Sequence, residues 1–289
     1  MSAQVEGQWG LHEARAWARA RLDEAGVDSV DADVRELLEW ACGVTTQWDL
    51  PTVLDPEQAE KLRGGVAERA LQHVTGRMFF RSLVLTAMPG VFIVRPETEV
   101  LAGLAIDEAR SVVGTRGEAR VVDLCTGSGA IALAVATEAA RTEVWAVEKE
   151  PDPFALACHN RDRIGARGVH LERGDATNLA TLHFLNGLVD VVVTNPPYVP
   201  ADEMPTQPEA SADPHSALYG GSEDGLDIPA RIIRRALTLL RPGGLLLMEH
   251  SPSQDEALRA YATSVGMVDA ATEADLTGRM RFLRARTPR

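Results

Sequence analysis

The sequence is poor in the features that mark several large classes. No uncharged run approaches the roughly 20 apolar residues of a membrane-spanning helix, so no such span is expected. Cysteine is scarce: Cys42, Cys125 and Cys158 are an odd number and contain no CxxC pair. The seven histidines (His12, His73, His159, His170, His183, His215 and His250) show neither HxxxH nor HExxH spacing. With no paired cysteines either, no metal site is expected. A GxSxG nucleophile elbow is missing as well. The opening Met1-Ser2-Ala3-Gln4-Val5-Glu6 lacks the basic and apolar regions of an export signal. A cytoplasmic, reducing setting is therefore the expectation.

Positive charge is also in deficit. Lysine and arginine total 29 against 42 aspartates and glutamates, a net charge of −13. Nucleic-acid binders ordinarily carry a basic footprint, because phosphate neutralisation dominates their affinity. The one arginine-rich stretch, Arg279 to Arg289, reads better as a last strand with Met280, Phe282 and Leu283 on its apolar side. No direct nucleic-acid partner and no membrane partner are expected, and the chain is expected to be a monomer.

What is present is 289 residues, 45% hydrophobic and 25% charged. That composition is ordinary for a globular chain, and the length suits about two domains of roughly 150 residues. Residues 1–75 read as a helical bundle. Leu11, Ala14, Trp17, Ala18 and Leu22 recur at helical spacing, as do Val34, Leu37, Leu38 and Ala41. Gly43 can close the second helix, and Asp55-Pro56-Glu57-Gln58 is a helix start with Asp as N-cap. No polar constellation lies there, so the bundle is expected to dock a substrate and to contribute no chemistry. Residues 76–94 are expected to form a β-hairpin linker that turns at Met88-Pro89-Gly90. Arg95-Pro96-Glu97-Thr98-Glu99 then opens a helix, with proline in the first turn and acids at the positive dipole end.

From Ala119 strands and helices alternate, the pattern of a doubly wound, mostly parallel α/β sheet of the Rossmann-like kind within residues 95–289. Strands are expected at Val121–Leu124, Val144–Val147, Val169–Leu171, Val189–Thr194 and Leu245–Met248, the last after a helix closed by Arg241-Pro242-Gly243-Gly244. The long polar segment from Val199 to Asp227 is expected to be a loop, and could be a lid.

The stretch around which the rest is organised is Val191-Val192-Val193-Thr194-Asn195-Pro196-Pro197-Tyr198. A β-branched run suits an enclosed strand. The two prolines end it, since neither can donate to a ladder. Asn195 is thereby held at the carboxyl end of a strand, the edge where open α/β sheets bind ligands. Its carboxamide offers an acceptor and two donors, the complement of another amide or of an amino-substituted base.

Upstream, Asp123-Leu124-Cys125-Thr126-Gly127-Ser128-Gly129 joins a strand to a helix start. Such a turn brings a ligand close to the backbone, and both a dinucleotide and S-adenosylmethionine could use it. Asp123, placed to pair with an ammonium, favours the sulfonium ligand. Glu148, at the end of the second strand, is placed for both ribose hydroxyls, and Asp175 for an adenine amino group. The order is decisive: glycine loop, acid, Asp, then Asn-Pro-Pro-Tyr, all at carboxyl ends of successive strands.

These residues carry a resemblance. Arg95-Pro96-Glu97-Thr98-Glu99, Asp123 through Leu133, Asn195-Pro196-Pro197-Tyr198, Gly220-Gly221 with Asp224-Gly225-Leu226-Asp227, and Asp275-Leu276 with Gly278-Arg279 resemble the bacterial glutamine N5-methyltransferases that modify peptide chain release factors, the HemK type. The likeness covers most of the chain, including the helical domain and the hairpin. It implies S-adenosylmethionine bound by Asp123, Cys125, Thr126, Gly127, Ser128, Gly129, Glu148, Asp175, Ala176 and Asn195. It implies the substrate glutamine gripped by Asn195, Pro196, Pro197 and Tyr198, with Asn195, Pro196 and Tyr198 nearest the chemistry, and a class I release factor as partner. Val94 stands where the family usually has proline, Cys125 where it has glycine, and Glu249-His250-Ser251 where it has Glu-Ile-Gly. Four other readings stay open: a ribosomal-protein glutamine, the amino group of a nucleic-acid base, a nicotinamide dehydrogenase using the same loop, and a non-catalytic cofactor-binding module.

Overall fold

A computed structural model describes residues 9–27, 29–68, 70–203 and 212–289. The chain up to Arg77 forms one compact unit, and the chain from Met78, apart from 206–212, forms a second.

The first unit holds β1 (Trp9–Gly10), α1 (Leu11–Glu24), α2 (Val30–Cys42), β2 (Val53–Leu54), α3 (Pro56–Ala67) and α4 (Leu71–Thr75). Ala14, Ala18, Leu22, Leu37, Leu38, Leu54 and Leu62 form its core. Asp55 caps α3 as its sequence signals: the side chain accepts from Gln58 N–H at 2.8 Å, and Gln58 Oε1 accepts from Asp55 N–H at 3.0 Å. Such a cap stabilises by about 1 kcal/mol. Gly43 ends α2 in the left-handed conformation. A Cβ on Gly65 would lie 2.8 Å from Leu37 and 3.0 Å from Trp40. This glycine, unfavourable for helix propensity, is what lets α3 close on α2.

β3 (Arg77–Phe80) and β4 (Leu83–Thr86) form a two-stranded hairpin. Its turn corrects the sequence reading. The chain reverses between Phe80 and Leu83 rather than at Met88-Pro89-Gly90, and Val91 to Val94 form no strand. The cause is tertiary. Arg81 takes a positive φ of 52°, its N–H bonds Glu99 Oε1 at 3.0 Å, and its guanidinium grips Glu138 at 2.8 and 2.7 Å. Met88-Pro89-Gly90 still bends the chain, with Val91 N–H on the Met88 carbonyl at 3.3 Å.

The second unit continues with α5 (Pro96–Arg116), β5 (Ala119–Leu124), α6 (Ala130–Glu138), β6 (Thr142–Glu148), α7 (Pro151–Ile164), β7 (Val169–Arg173), β8 (Val189–Thr194), α8 (His215–Leu218), α9 (Asp227–Leu239), β9 (Leu240–Glu249), α10 (Asp255–Ser264), β10 (Val268–Ala274) and β11 (Met280–Arg286). Seven strands pair in the order β10-β11-β9-β8-β5-β6-β7. β9, β8, β5, β6 and β7 are parallel, and β10 and β11 are antiparallel. Val191, Val192, Val193, Leu246 and Met248 are fully buried, and Leu245 and Leu247 nearly so. Parallel strands covered on both faces need such unbroken apolar runs.

β9 starts earlier than its apolar run suggests. Leu240 already pairs with Val189, and a pairing shift before Leu245 absorbs Pro242, Gly243 and Gly244. Residues 204–211, within the expected loop and lid, lie outside the described residues. Among the described residues no helix is long and apolar enough to cross a membrane.

The topology places the site. From β5 the chain moves through α6 to β6 on one side, whereas β8 adds on the other. Ligands bind where strand order reverses in this way, in the crevice outside the carboxyl ends.

Candidate functional site

A cavity of about 320 Å³ opens at those strand ends. Cys125 to Ser128, Glu148, Asp175-Ala176 and Asn195 to Tyr198 all line it. Asp123 and Gly129 do not.

The loop after β5 is tied to β6 and closed on itself. Thr126 N–H bonds the Val147 carbonyl at 2.9 Å, and Gly129 N–H bonds the Thr126 carbonyl at 2.9 Å. Cys125 adopts φ +63°, a conformation that favours glycine. Burial, reinforced by Glu148 and Asp123, pushes its thiol well above the ordinary range, so it stays protonated. A Cβ at Gly127 would meet no protein atom within 4 Å; protein packing therefore does not require glycine there.

Asp123 is fully buried and off the cavity wall. Its Oδ2 accepts from Thr126 Oγ1 at 2.5 Å and from Ala132 N–H at 3.1 Å, which ties the loop to α6. Oδ2 thus forms an internal brace, while Oδ1 is buried without a hydrogen-bond partner among the described residues. Burial raises its pKa from 3.8 to about 7, against the lowering effect of those hydrogen bonds. Between about pH 4 and 7 the unfolded chain has lost this proton while the folded chain keeps it, so rising pH removes stability across that window. Asp123→Asn should flatten this part of the profile. The check is denaturant unfolding of both proteins across the window, and parallel profiles would contradict the assignment.

Glu148, the last residue of β6, receives three backbone N–H groups: Lys149 at 2.8 Å and Glu150 at 2.9 Å on Oε1, and Gly127 at 2.8 Å on Oε2. Burial raises its pKa and these donors oppose the rise. A carboxylate offers about four acceptor sites, so about one remains, on Oε2. Asp175 Oδ1 accepts from Thr177 N–H at 2.8 Å and Thr177 Oγ1 at 2.7 Å. Burial alone would raise Asp175, but Thr177, Lys149 and Arg231 bring it below the usual range. Its Oδ2 makes no hydrogen bond among the described residues.

On the other side, Thr194 Oγ1 donates to the Leu124 carbonyl at 2.6 Å and joins the ends of β8 and β5. Asn195 Nδ2 donates to Thr98 Oγ1 at 3.2 Å. Thr98 Oγ1 donates to Glu249 Oε2 at 2.8 Å, and the Tyr198 hydroxyl donates to Glu249 Oε1 at 3.1 Å. Burial raises Glu249, while Thr98, Arg281 and Tyr198 lower it. Burial of its hydroxyl end, with Glu249 beside it, raises Tyr198 far above the ordinary phenol range.

The segment past Tyr198 is clamped. Tyr198 and Val199 N–H groups bond the Leu218 carbonyl at 3.0 and 2.8 Å, and Gln254 Nε2 bonds the Tyr198 carbonyl at 2.7 Å. A Cβ on Gly225 would lie 2.2 Å from that same carbonyl oxygen, so only glycine lets the 220–225 loop close there. Phe92, Thr98, Tyr219 and Arg231 also line the cavity. Sequence reasoning gave none of them a role; for Thr98 the available signal was its place in the Arg-Pro-Glu-Thr-Glu segment. Among the described residues no group of three or more His, Cys, Asp or Glu could hold a metal ion.

The sheet order and the glycine-turn cavity at its switch point are Rossmann-like, and the family model that this domain matches makes it a methyltransferase. Residues 116–278 match the family model described as a methyltransferase domain, and residues 13–76 match that of the PrmC N-terminal domain. A methyltransferase structure from Pyrococcus furiosus shares the fold, with a TM-score of 0.52 at 17% identity over 72% of this chain and 90% of that one. Two curated relatives are far closer in sequence. The release factor glutamine methyltransferase of Bifidobacterium longum is 44% identical, covering 92% of this chain and 96% of its own. That of Streptomyces coelicolor is 45% identical, covering 94% and 96%. The chain belongs to the release factor glutamine methyltransferase family.

Proposed function

We propose that this enzyme transfers a methyl group from S-adenosylmethionine to the side-chain amide nitrogen of a protein glutamine, that of the Gly-Gly-Gln loop of class I peptide chain release factors, in the cytosol. The observation that carries this reading is Asn195: a carboxamide on the cavity wall, its nitrogen held by Thr98, between the end of β8 and two prolines.

The site suits this cofactor better than a dinucleotide. The Gly127 N–H that could cradle a phosphate is already bonded to the Glu148 carboxylate, which would repel a diphosphate. The free acceptors on Glu148 and Asp175 suit hydroxyl and amino donors instead. Cys125 to Ser128, Glu148, Asp175-Ala176 and Asn195 would hold the cofactor, with Gly129 behind them at the start of α6. When bound it supplies an electrophilic methyl on a sulfonium.

An amide nitrogen is a weak nucleophile, because its lone pair is delocalised. The protein must therefore hold it in line and direct its N–H groups onto acceptors. Asn195 Oδ1 and the Pro196 carbonyl are the acceptors at the end of β8. Tyr198, fixed through its hydroxyl to Glu249, covers the amide and excludes water. Positioning and fixed dipoles then carry the rate. The first unit supplies the docking surface for the rest of the release factor, which fits its lack of any polar constellation.

The test is labelled methyl transfer to a release factor with Gly-Gly-Gln, to the same factor with Gly-Gly-Ala, and to a free Gly-Gly-Gln peptide. Label is expected on the first, none on the second and little on the third. Equal labelling of the first two overturns the substrate assignment, and a peptide as good as the whole factor overturns the docking role. The charge of −13 weighs against a nucleic-acid base as acceptor.

A further inference from the structure

We propose that Thr98 and Glu249 are positioning residues that fix which end of the Asn195 carboxamide faces the substrate, and thereby select an amide over a carboxylate. This rests on the reading of Asn195 as the contact to the substrate amide.

Hydrogen-bond polarity sets the orientation. Thr98 and Glu249 are both buried, at 1% and 2% exposure. An ionised carboxylate only accepts, and a threonine hydroxyl has a single proton. Both Glu249 oxygens face hydroxyl donors and the Arg281 charge favours the ionised form, so Oε2 takes the Thr98 proton and Oε1 that of Tyr198. The Thr98 oxygen is left with lone pairs alone, so the Asn195 atom facing it must be the NH₂. Asn195 Oδ1 is then the end without a hydrogen bond among the described residues. The two ends of a carboxamide have nearly the same shape, so sterics alone would not choose between them.

The consequence is chemical. A site that presents Oδ1 welcomes the NH₂ of a glutamine, orients it, and repels the oxygens of a glutamate. If the carboxamide turned over, its NH₂ would bond the substrate carbonyl or a carboxylate, and the reacting nitrogen would lose its acceptor. Glu249 ends β9, Thr98 lies in the first turn of α5 and Asn195 follows β8. Three separate elements thus set one polarity.

Glu249→Gln tests this. It keeps the shape of the carboxylate and its capacity to hold Tyr198. With its oxygen on Tyr198, its NH₂ would donate to Thr98, whose proton would turn to Asn195 and favour the reversed carboxamide. Tyr198→Phe combined with Glu249→Gln gives the opposite arm, since the Gln oxygen is then free to keep the Thr98 proton and the native polarity. The expected result is a kcat lowered by about 10- to 100-fold, with KM for the release factor, cofactor Kd and thermal midpoint unchanged. Thr98→Val should act in the same direction, and Thr98→Ser, which restores the hydroxyl, should come within about threefold of wild type. A role confined to packing would spare kcat in Thr98→Val and Glu249→Gln. Wild-type kcat in those two variants, with Asn195→Ala strongly impaired, overturns the positioning role and leaves the reading of Asn195 standing. An unimpaired Asn195→Ala overturns both.

Discussion

Asn195→Ala is expected to keep most cofactor affinity and to lose about 100- to 1,000-fold in methyl transfer, the usual loss when one preorganised partner of a reacting group is removed. The substrate NH₂ needs the acceptor that Asn195 Oδ1 presents, and alanine offers none. Asn195→Asp should not rescue the rate. An ionised aspartate still accepts from the substrate NH₂, but it cannot donate to Thr98, whose only proton already lies on Glu249. Two acceptors would face each other where the native Nδ2 now donates at 3.2 Å. The added negative charge would also stabilise the concentrated charge of a bound sulfonium more than the dispersed charge of the transition state, which lowers no barrier. Single-turnover methylation at saturating cofactor measures both variants. An alanine variant within about tenfold of wild type would remove Asn195 from the mechanism. A fully active aspartate would point to an acceptor that only donates, such as the amino group of a base.

The second large effect is expected at Glu148. Glu148→Ala should weaken S-adenosylmethionine binding by about 1.5–3 kcal/mol, the worth of hydrogen bonds to a charged group, or roughly 10- to 150-fold in Kd. Two losses combine. The ligand loses the acceptor site on Oε2, and the N–H groups of Gly127, Lys149 and Glu150 lose the carboxylate that now orders them. Calorimetry with S-adenosylmethionine, alongside unfolding of the unliganded protein, separates the ligand contact from loop order. A Kd within about threefold of wild type, or nicotinamide dinucleotide binding more tightly than S-adenosylmethionine, would refute the assignment.

Much of this site was legible in the chain because its signals are local. A β-branched run stopped by two prolines announces a strand end whatever surrounds it, and β8 ends at Thr194. The cap at Asp55 and the left-handed Gly43 are likewise properties of a few neighbouring residues. What escaped depends on contacts between distant positions. Thr98 and Glu249 are 151 residues apart, and no local pattern pairs them. The hairpin turn follows from Arg81 reaching Glu99 and Glu138, where Ser82 is only a weak turn signal beside Met88-Pro89-Gly90. Asp123 reads as a strand-end acid, yet it lies just far enough back along β5 to be enclosed by the loop it precedes. The early start of β9 escaped because Pro242, Gly243 and Gly244 ordinarily terminate structure, and here a pairing shift accommodates them.

A carboxamide-reading site directs a methyl group onto a side-chain amide nitrogen. Fragment mass spectrometry of a release factor after reaction with the wild-type enzyme and S-adenosylmethionine tests it most directly. A single added methyl is expected, on the side-chain amide nitrogen of the Gly-Gly-Gln glutamine, and none when that residue is glutamate. A methyl on any other residue or atom, or on the glutamate, would contradict it.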